Sequence, residues 1–216
     1  MTADNNHKYN IGLKEIVPEY YSSNRQVRKL FLGRHDAAIH YLERVKAASV
    51  LDVGCGDGLF TSRIKDVAGV QEVVGVDLNV NTETLNQKWG NVRFVKADIL
   101  NLRYVKQFDA ITALDVLEHF ENIEDVLRSL VKAMKNNGYL IVSGPVESFF
   151  YKFGRFLVKG SFSQESGPGA GRHYRNIKQI DAIIRRYFEP ITKKKAGFLF
   201  FDAFHINLYQ LKAAPQ

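Results

Sequence analysis

Three glycines at alternate positions, Gly54, Gly56 and Gly58, stand among two aspartates, Asp52 and Asp57, in the stretch S-V-L-D-V-G-C-G-D-G-L-F from Ser49 to Phe60. Glycine in this spacing suits a tight turn that needs φ > 0, and the missing Cβ atoms let a ligand lie against the backbone. A dinucleotide would call for G-x-G-x-x-G, with its third glycine at position 59. That residue is Leu59, and the third glycine falls one place early. The flanking acids suit a cationic ligand without a pyrophosphate better than a dianion. Cys55, the variable residue inside the loop, reads as a small side chain and not as a nucleophile.

The surrounding elements have to hold this loop. Val50, Leu51 and Val53 form a short apolar run, as in a strand covered on both faces of a parallel sheet. A helix is expected over Leu59–Val67. Further strands are expected at Gln71–Asp77, Val92–Ala97, Phe108–Leu114 and Tyr139–Ser143, with helices at Asn81–Trp89 and Ile123–Met134 and a turn at Asn136–Gly138. Before the loop, Val27, Leu30, Phe31, Ala38, Tyr41, Leu42 and Val45 recur at helical spacing after Asn24, a suitable N-cap. Toward the end, a helix over Ile177–Tyr187 precedes an aromatic, β-branched stretch, Phe198–Lys212, which reads as a strand in a hairpin with Glu189–Lys194. The expectation is an α/β fold: a doubly wound, mostly parallel, seven-stranded Rossmann-like sheet with an antiparallel C-terminal strand. Ligands of such sheets bind at the carboxyl ends of the strands. Asp77, Asp98 and Asp115 all fall at those ends.

Composition narrows the setting. A chain of 216 residues with 45% hydrophobic content suffices for one domain with a full core. No apolar run reaches the roughly 18 residues of a membrane span, and Met1–Asn10 is polar, unlike a signal peptide. Cys55 is the single cysteine, which excludes an intrachain disulfide and makes a reducing cytoplasm the expected setting. The net charge of +7 is unevenly spread. Residues 1–46 carry 8 basic and 5 acidic side chains, residues 47–150 carry 10 and 14, and residues 151–195 carry 11 and 3. Basic flanks around an acidic core point to an acidic acceptor or surface, though solubilising lysines would give the same balance.

In their order and spacing, VLDVGCGDG (Val50–Gly58), VVGVDLN (Val73–Asn79), KADI (Lys96–Ile99), FDAITALDVLEHF (Phe108–Phe120) and GYLIVSGP (Gly138–Pro145) resemble the class I S-adenosylmethionine-dependent methyltransferases. There is some similarity to the ubiquinone-biosynthesis O-methyltransferase branch. The resemblance covers Ser49–Gly144. It implies S-adenosylmethionine as cofactor, released as S-adenosylhomocysteine, with Gly54, Cys55, Gly56 and Gly58 approaching its methionine part and Asp52 facing its ammonium, directly or through water. It places Asp77 on the ribose hydroxyls, Leu78 against the adenine, Asp98 on the exocyclic amine with Ile99 packing the ring, and Leu114 and Asp115 near the methionine moiety. An aspartate at a strand-to-helix junction can equally be an N-cap.

Methyl transfer from a sulfonium needs alignment, exclusion of water and, in some cases, a base. The candidate bases are His119 and His173. Asp115, Glu118 and His119 fall at i, i+3 and i+4, and on a helical turn they would share a face suited to a divalent ion. Similar acid-x-x-Glu-His runs hold metal in the ubiquinone branch and in small-RNA 3′-end 2′-O-methyltransferases. There the first acid is usually Glu, and Asp115 is one methylene shorter, so the expectation is a site without metal. The N/D-P-P-Y/F signature of amino-methylating nucleic-acid enzymes does not occur after the fourth strand, which disfavours base nitrogen and favours oxygen (or carbon) as the atom methylated.

Residues 1–46 read as an arm and cap helix, and residues 47–216 as the catalytic domain with a lid insertion at about 146–175. Within that insertion, Glu147–Lys159 places Phe149, Phe150, Phe153, Phe156 and Leu157 beside Lys152, Arg155 and Lys159, which suits a lid or peripheral contact with an anionic membrane. Arg175 reads as a group that closes onto an acidic acceptor, and Lys193–Lys195 as a solvated turn. The function expected is methyl transfer to a small or lipid-like, acidic acceptor at oxygen. The rivals are RNA ribose 2′-O-methylation and a non-catalytic, cofactor-binding regulator.

Overall fold

Asn24 starts the first helix by accepting from the backbone N–H groups of Gln26 and Val27. Helix α1 (Arg25–Val45) then runs to Lys46, whose left-handed backbone ends it. In this computed structural model, which describes residues 22–90, 92–146, 174–198 and 201–213, the remaining elements follow in alternation. They are β1 (Ser49–Val53), α2 (Leu59–Ile64), β2 (Glu72–Asp77), α3 (Thr82–Lys88), β3 (Arg93–Lys96), β4 (Phe108–Leu114), α4 (Ile123–Ala133), β5 (Met134–Pro145), α5 (Ile177–Ile184), β6 (Phe188–Phe198) and β7 (Phe201–Leu211). Short 3₁₀ turns, Ile99–Asn101 and Leu117–His119, follow β3 and β4.

The strands form one seven-stranded sheet in the order β3-β2-β1-β4-β5-β7-β6. The first five are parallel, and β7 runs antiparallel to both β5 and β6. All five residues of β1 are buried, which is why it reads as an unbroken apolar run apart from Ser49 and Asp52. One face of the sheet packs on α4 and α5 through Ile123, Val126, Leu127, Leu130, Ile177, Ile180 and Ile184. The other face packs on α1, α2 and α3 through Ala38, Tyr41, Leu42, Phe60, Ile64 and Leu85. Helix α1 thus belongs to the same core as the glycine loop. Among the described residues no helix is long and apolar enough to cross a membrane.

The fold departs from expectation in three places. Asn136–Gly138 does not precede β5 but bulges inside it: Phe108 pairs with Met134 while Ala110 pairs with Tyr139, and Asn137 takes a positive φ of 60°. Lys193–Lys195 is not a turn but part of β6, an edge strand, where exposed lysines discourage pairing with another chain. Helix α2 ends at Ile64, because Asp66 and Val67 fold back in tighter turns onto the carbonyls of Arg63 and Ile64.

Candidate functional site

Leaving β1, the chain bends sideways over β2: the N–H groups of Gly54 and Cys55 both donate to the Val76 carbonyl, at 2.8 and 3.1 Å. Gly54, Gly56 and Gly58 all have φ between 51° and 74°. At two of them the protein's own packing also forbids a side chain. A Cβ on Gly54 would lie 2.3 Å from Cγ2 of Val116, just beyond β4, and one on Gly58 would lie 2.8 Å from ring atoms of Phe94 and Trp89. The loop is therefore wedged between the ends of β2, β3 and β4. Cys55 is buried, and burial first, then the charges of Asp52 and Asp77, push its thiol far above the usual range. It is no thiolate nucleophile.

The acids next to the loop are not the ones that face outward. Asp52 is 2% exposed, and its oxygens accept from the Thr61 and Thr112 hydroxyls at 2.6 and 2.7 Å. Burial pushes its pKa up to about 6, the two hydroxyls pull it back, and Asp77 adds to the rise. The resemblance places Asp52 toward the donor's ammonium, directly or through water; in this structure its two oxygens are engaged by the Thr61 and Thr112 hydroxyls. Asp57 is likewise buried, its Oδ1 accepting from the Leu59 N–H at 3.0 Å at the start of α2.

Asp77 does stand at the edge. Its Oδ2 accepts from the Gly56 N–H at 3.2 Å and its Oδ1 from the Asn79 N–H at 2.8 Å, so the carboxylate is oriented by backbone on both sides. Leu78 beside it is 55% exposed, unusual for leucine next to a buried strand. Asp98 caps the 3₁₀ turn, with Oδ1 accepting from the Leu100 N–H at 2.9 Å and Oδ2 from the Asn101 side chain at 3.2 Å. Ile99, which the resemblance places against the adenine ring, is 8% exposed and joins the core under the sheet edge.

At the end of β4, Leu114 is half-buried and Asp115 has a left-handed backbone, φ 57°. The Asp115 N–H donates to the Ser143 carbonyl at 3.0 Å and its Oδ1 accepts from the Ser143 hydroxyl at 3.0 Å. Its Oδ2 is ion-paired with the guanidinium of Arg34 from α1. The Arg34 side chain is 2% exposed and stacks over the rings of Phe31 and Phe204 at 4.6 and 4.3 Å. Reading the sequence missed Arg34. The signal was there: a charge at i+3 from Phe31 and i−4 from Ala38, on the helix stripe that is otherwise apolar. His35 beside it is fully buried against Phe60, and burial first, then Arg34 and Arg63, keep its imidazole neutral.

Glu118 and His119 do not share a helical face with Asp115. Asp115 precedes the Leu117–His119 turn in a left-handed conformation, and Glu118 is 1% exposed. Among the described residues no three His, Cys, Asp or Glu side chains are grouped to hold a metal ion. His119 is half-buried just beyond β4, whereas His173, the segment Glu147–Lys159 and most of the expected lid lie outside the described residues. Arg175 does not reach toward a ligand. Its guanidinium donates to the carbonyls of Phe120 and Glu121 at 3.2 and 2.5 Å, while the Tyr174 N–H donates to Glu118 at 2.8 Å.

A family model described as a methyltransferase domain matches residues 21–213. The ubiquinone biosynthesis O-methyltransferase of Rickettsia bellii is 31% identical over 107 residues, covering 48% of this chain and 44% of that protein. Its namesake from Rickettsia prowazekii is 29% identical over 140 residues, covering 60% and 56%. The chain thus spans about half the length of the curated relatives it matches. Among solved structures, the N-methyltransferase NodS from Bradyrhizobium japonicum WM9 in complex with S-adenosyl-L-homocysteine superposes with a TM-score of 0.68 at 15% identity, covering 93% of this chain and 96% of that one. Magnesium protoporphyrin IX methyltransferase from Synechocystis PCC 6803 with bound S-adenosylhomocysteine gives 0.68 at 19% identity, covering 95% and 97%. At such identities the likeness is one of fold.

Proposed function

Because the chain belongs to the class I S-adenosylmethionine-dependent methyltransferases through its methyltransferase domain, we propose that it transfers a methyl group from S-adenosylmethionine to an oxygen of a small or lipid-like acceptor. One observation carries the donor reading: the Asp77 carboxylate, fixed by Gly56 and Asn79, stands at the end of β2 beside the exposed face of Leu78. A carboxylate so placed can accept from two vicinal hydroxyls, and an exposed leucine next to it can lie against a purine. When bound, S-adenosylmethionine supplies a methyl group already activated on a sulfonium. The chain's part is to hold and align. The loop at Gly54–Gly58 presents backbone without side chains, Asp77 and Leu78 take the nucleoside, and Asp115 supplies negative charge toward the amino-acid end. Aligning two reactants for in-line displacement accounts for most of what such a site must do. His119, close behind Asp115, is the described residue assigned to take a proton from the acceptor.

The name shared by the curated relatives supports oxygen as the target. Calorimetry with S-adenosylhomocysteine tests the donor reading: one site is expected, and Asp77→Ala is expected to weaken it by at least about tenfold, or 1.4 kcal/mol. A folded protein that gives no heat with S-adenosylmethionine or S-adenosylhomocysteine refutes it. Radiolabelled methyl transfer to a panel of hydroxylated and amine acceptors then tests the oxygen assignment, which labelling of amines alone would refute.

A further inference from the structure

The start of β7 carries a bulge. Lys195 pairs with His205 and Ala196 with Phe204, but Gly197 pairs with Asp202, so Ala203 is one residue too many on β7. The Val146 N–H, just past β5, donates to the Ala203 carbonyl at 2.9 Å and pins the extra residue. Residues three apart on a regular strand face opposite sides of the sheet. Here the bulge brings Asp202 and His205 to one side, with Oδ2 of Asp202 3.6 Å from Nε2 of His205 and 2.7 Å from Nζ of Lys195. Bulges re-aim side chains beside functional sites. This one stands at the ligand-binding end of the sheet: His205 pairs with Gly144, the residue after Ser143, and Ser143 pairs with Leu114 at the end of β4.

His205 is 4% exposed, and its Nε2 is buried without a hydrogen-bond partner among the described residues. Its surroundings decide where the ring carries its proton. Lys195 holds the Asp202 carboxyl below its ordinary range, so an anion faces Nε2 and favours the tautomer protonated there. Burial first, then Lys193, lowers the imidazole's own pKa; Asp202 raises it and Lys195 lowers it again, which leaves the ring neutral at pH 7. On β5 the residue across is Gly144, without a side chain, and from α5 Ile177 packs against that glycine. Toward the core the polar row runs one way: Asn207 donates to the Tyr209 hydroxyl at 2.8 Å, and Tyr209 donates to Asp181 at 2.6 Å. Nδ1 is then the lone-pair nitrogen of a neutral ring, fixed at the sheet edge.

We propose that His205 holds the methyl acceptor: Nδ1 accepts a hydrogen bond from a second hydroxyl or N–H group of that molecule, two strands, or about 10 Å, from the end of β4. The inference rests on the methyl-transfer reading above and leaves the part of His119 unchanged. It also sets a specificity. A carboxylate or phosphate presented here would meet a lone pair and the Asp202 carboxylate, whereas a hydroxyl supplies the hydrogen that both accept.

Phenol, a hydroxyl on a bare ring, and anisole, the same ring with no donor, separate the outcomes on protein saturated with S-adenosylhomocysteine. The His205 ring is read by proton–nitrogen NMR correlations, assigned through its own backbone. At pH 7 the ring should be neutral with its proton on Nε2, and it should titrate below 6.5. Phenol should shift the Nδ1 signal saturably, binding at least about fivefold more tightly than anisole. That preference should shrink to within about twofold in His205→Leu. A ring charged at pH 7, or protonated on Nδ1, overturns the inference. So do phenol and anisole acting alike, or a His205 signal that neither compound moves. If His205→Leu does not fold, the two compounds on the unaltered protein still decide. Any of these failures with S-adenosylhomocysteine bound leaves the donor reading standing, whereas no binding of S-adenosylhomocysteine refutes that reading and this inference with it.

Discussion

Replacing Asp52 by Asn measures what the charge beneath the glycine loop costs. In the folded chain the Asp52 carboxyl rises from its ordinary 3.8 to about 6, chiefly by burial. Two pK units correspond to roughly 3 kcal/mol. The folded protein holds this proton more tightly than the unfolded one, so between pH 3.8 and about 6 the unfolded chain ionises first. Stability from this group is therefore complete at low pH and declines as pH rises, reaching its minimum above about 6. Asparagine keeps the shape and stays neutral, and the Thr61 and Thr112 hydroxyls can rotate to serve it. Urea unfolding of both proteins from pH 4 to pH 7 should show the stability difference, Asn over Asp, rising by about 2–3 kcal/mol. His35 works in the opposite sense: its lowered pKa makes the fold lose stability as pH falls below the imidazole's ordinary 6.5. Because His35 is present in both proteins, it cancels in the comparison. A difference that stays flat within about 0.5 kcal/mol across this range would refute the assignment of Asp52 as a buried, reluctantly ionised group.

Gly58→Ala combines a left-handed φ of 74° with a Cβ 2.8 Å from Phe94 and Trp89, and should cost about 2–4 kcal/mol in urea unfolding. Tyr209→Phe removes a buried hydroxyl that donates to Asp181 at 2.6 Å and accepts from Asn207 at 2.8 Å. It should cost about 1–3 kcal/mol in the same measurement while leaving S-adenosylhomocysteine affinity unchanged, since β7 lies three strands from the glycine loop. Changing Lys193, Lys194 and Lys195 together to Thr strips the charge from edge strand β6, and sedimentation should then show more self-association than in the parent chain.

What could be read in advance follows from periodicity. β1, β2 and β4 announce themselves as apolar runs because a parallel strand covered on both faces has no polar side to show. The bulge in β5 was hidden because Asn136-Asn137-Gly138 is turn chemistry, and a sequence does not say whether the chain resumes the same strand afterwards. The burial of Asp52 was hidden for a related reason. Its outlook depends on register: it sits directly across from Thr112 on β4, with Thr61 above it, and no local pattern in β1 discloses that pairing. Asp77 and Asp98 look alike as strand-end acids, yet Asp77 is oriented by the glycine loop while both oxygens of Asp98 serve its own turn. Arg34 joins Asp115 across more than 80 positions of chain, a contact that only the packing of α1 on the sheet creates.

The position of β7 bears on how the molecule is made. It is synthesised after every other strand, yet it lies inside the sheet, bonded along Phe204–Gln210 to β5 on one side and to β6 on the other. A nascent chain halted before residue 201 has β5 as an open flank and β6 with nothing to join. Closure must await the last antiparallel ribbon, and a chain that lacks it leaves the backbone edge of β5 unpaired.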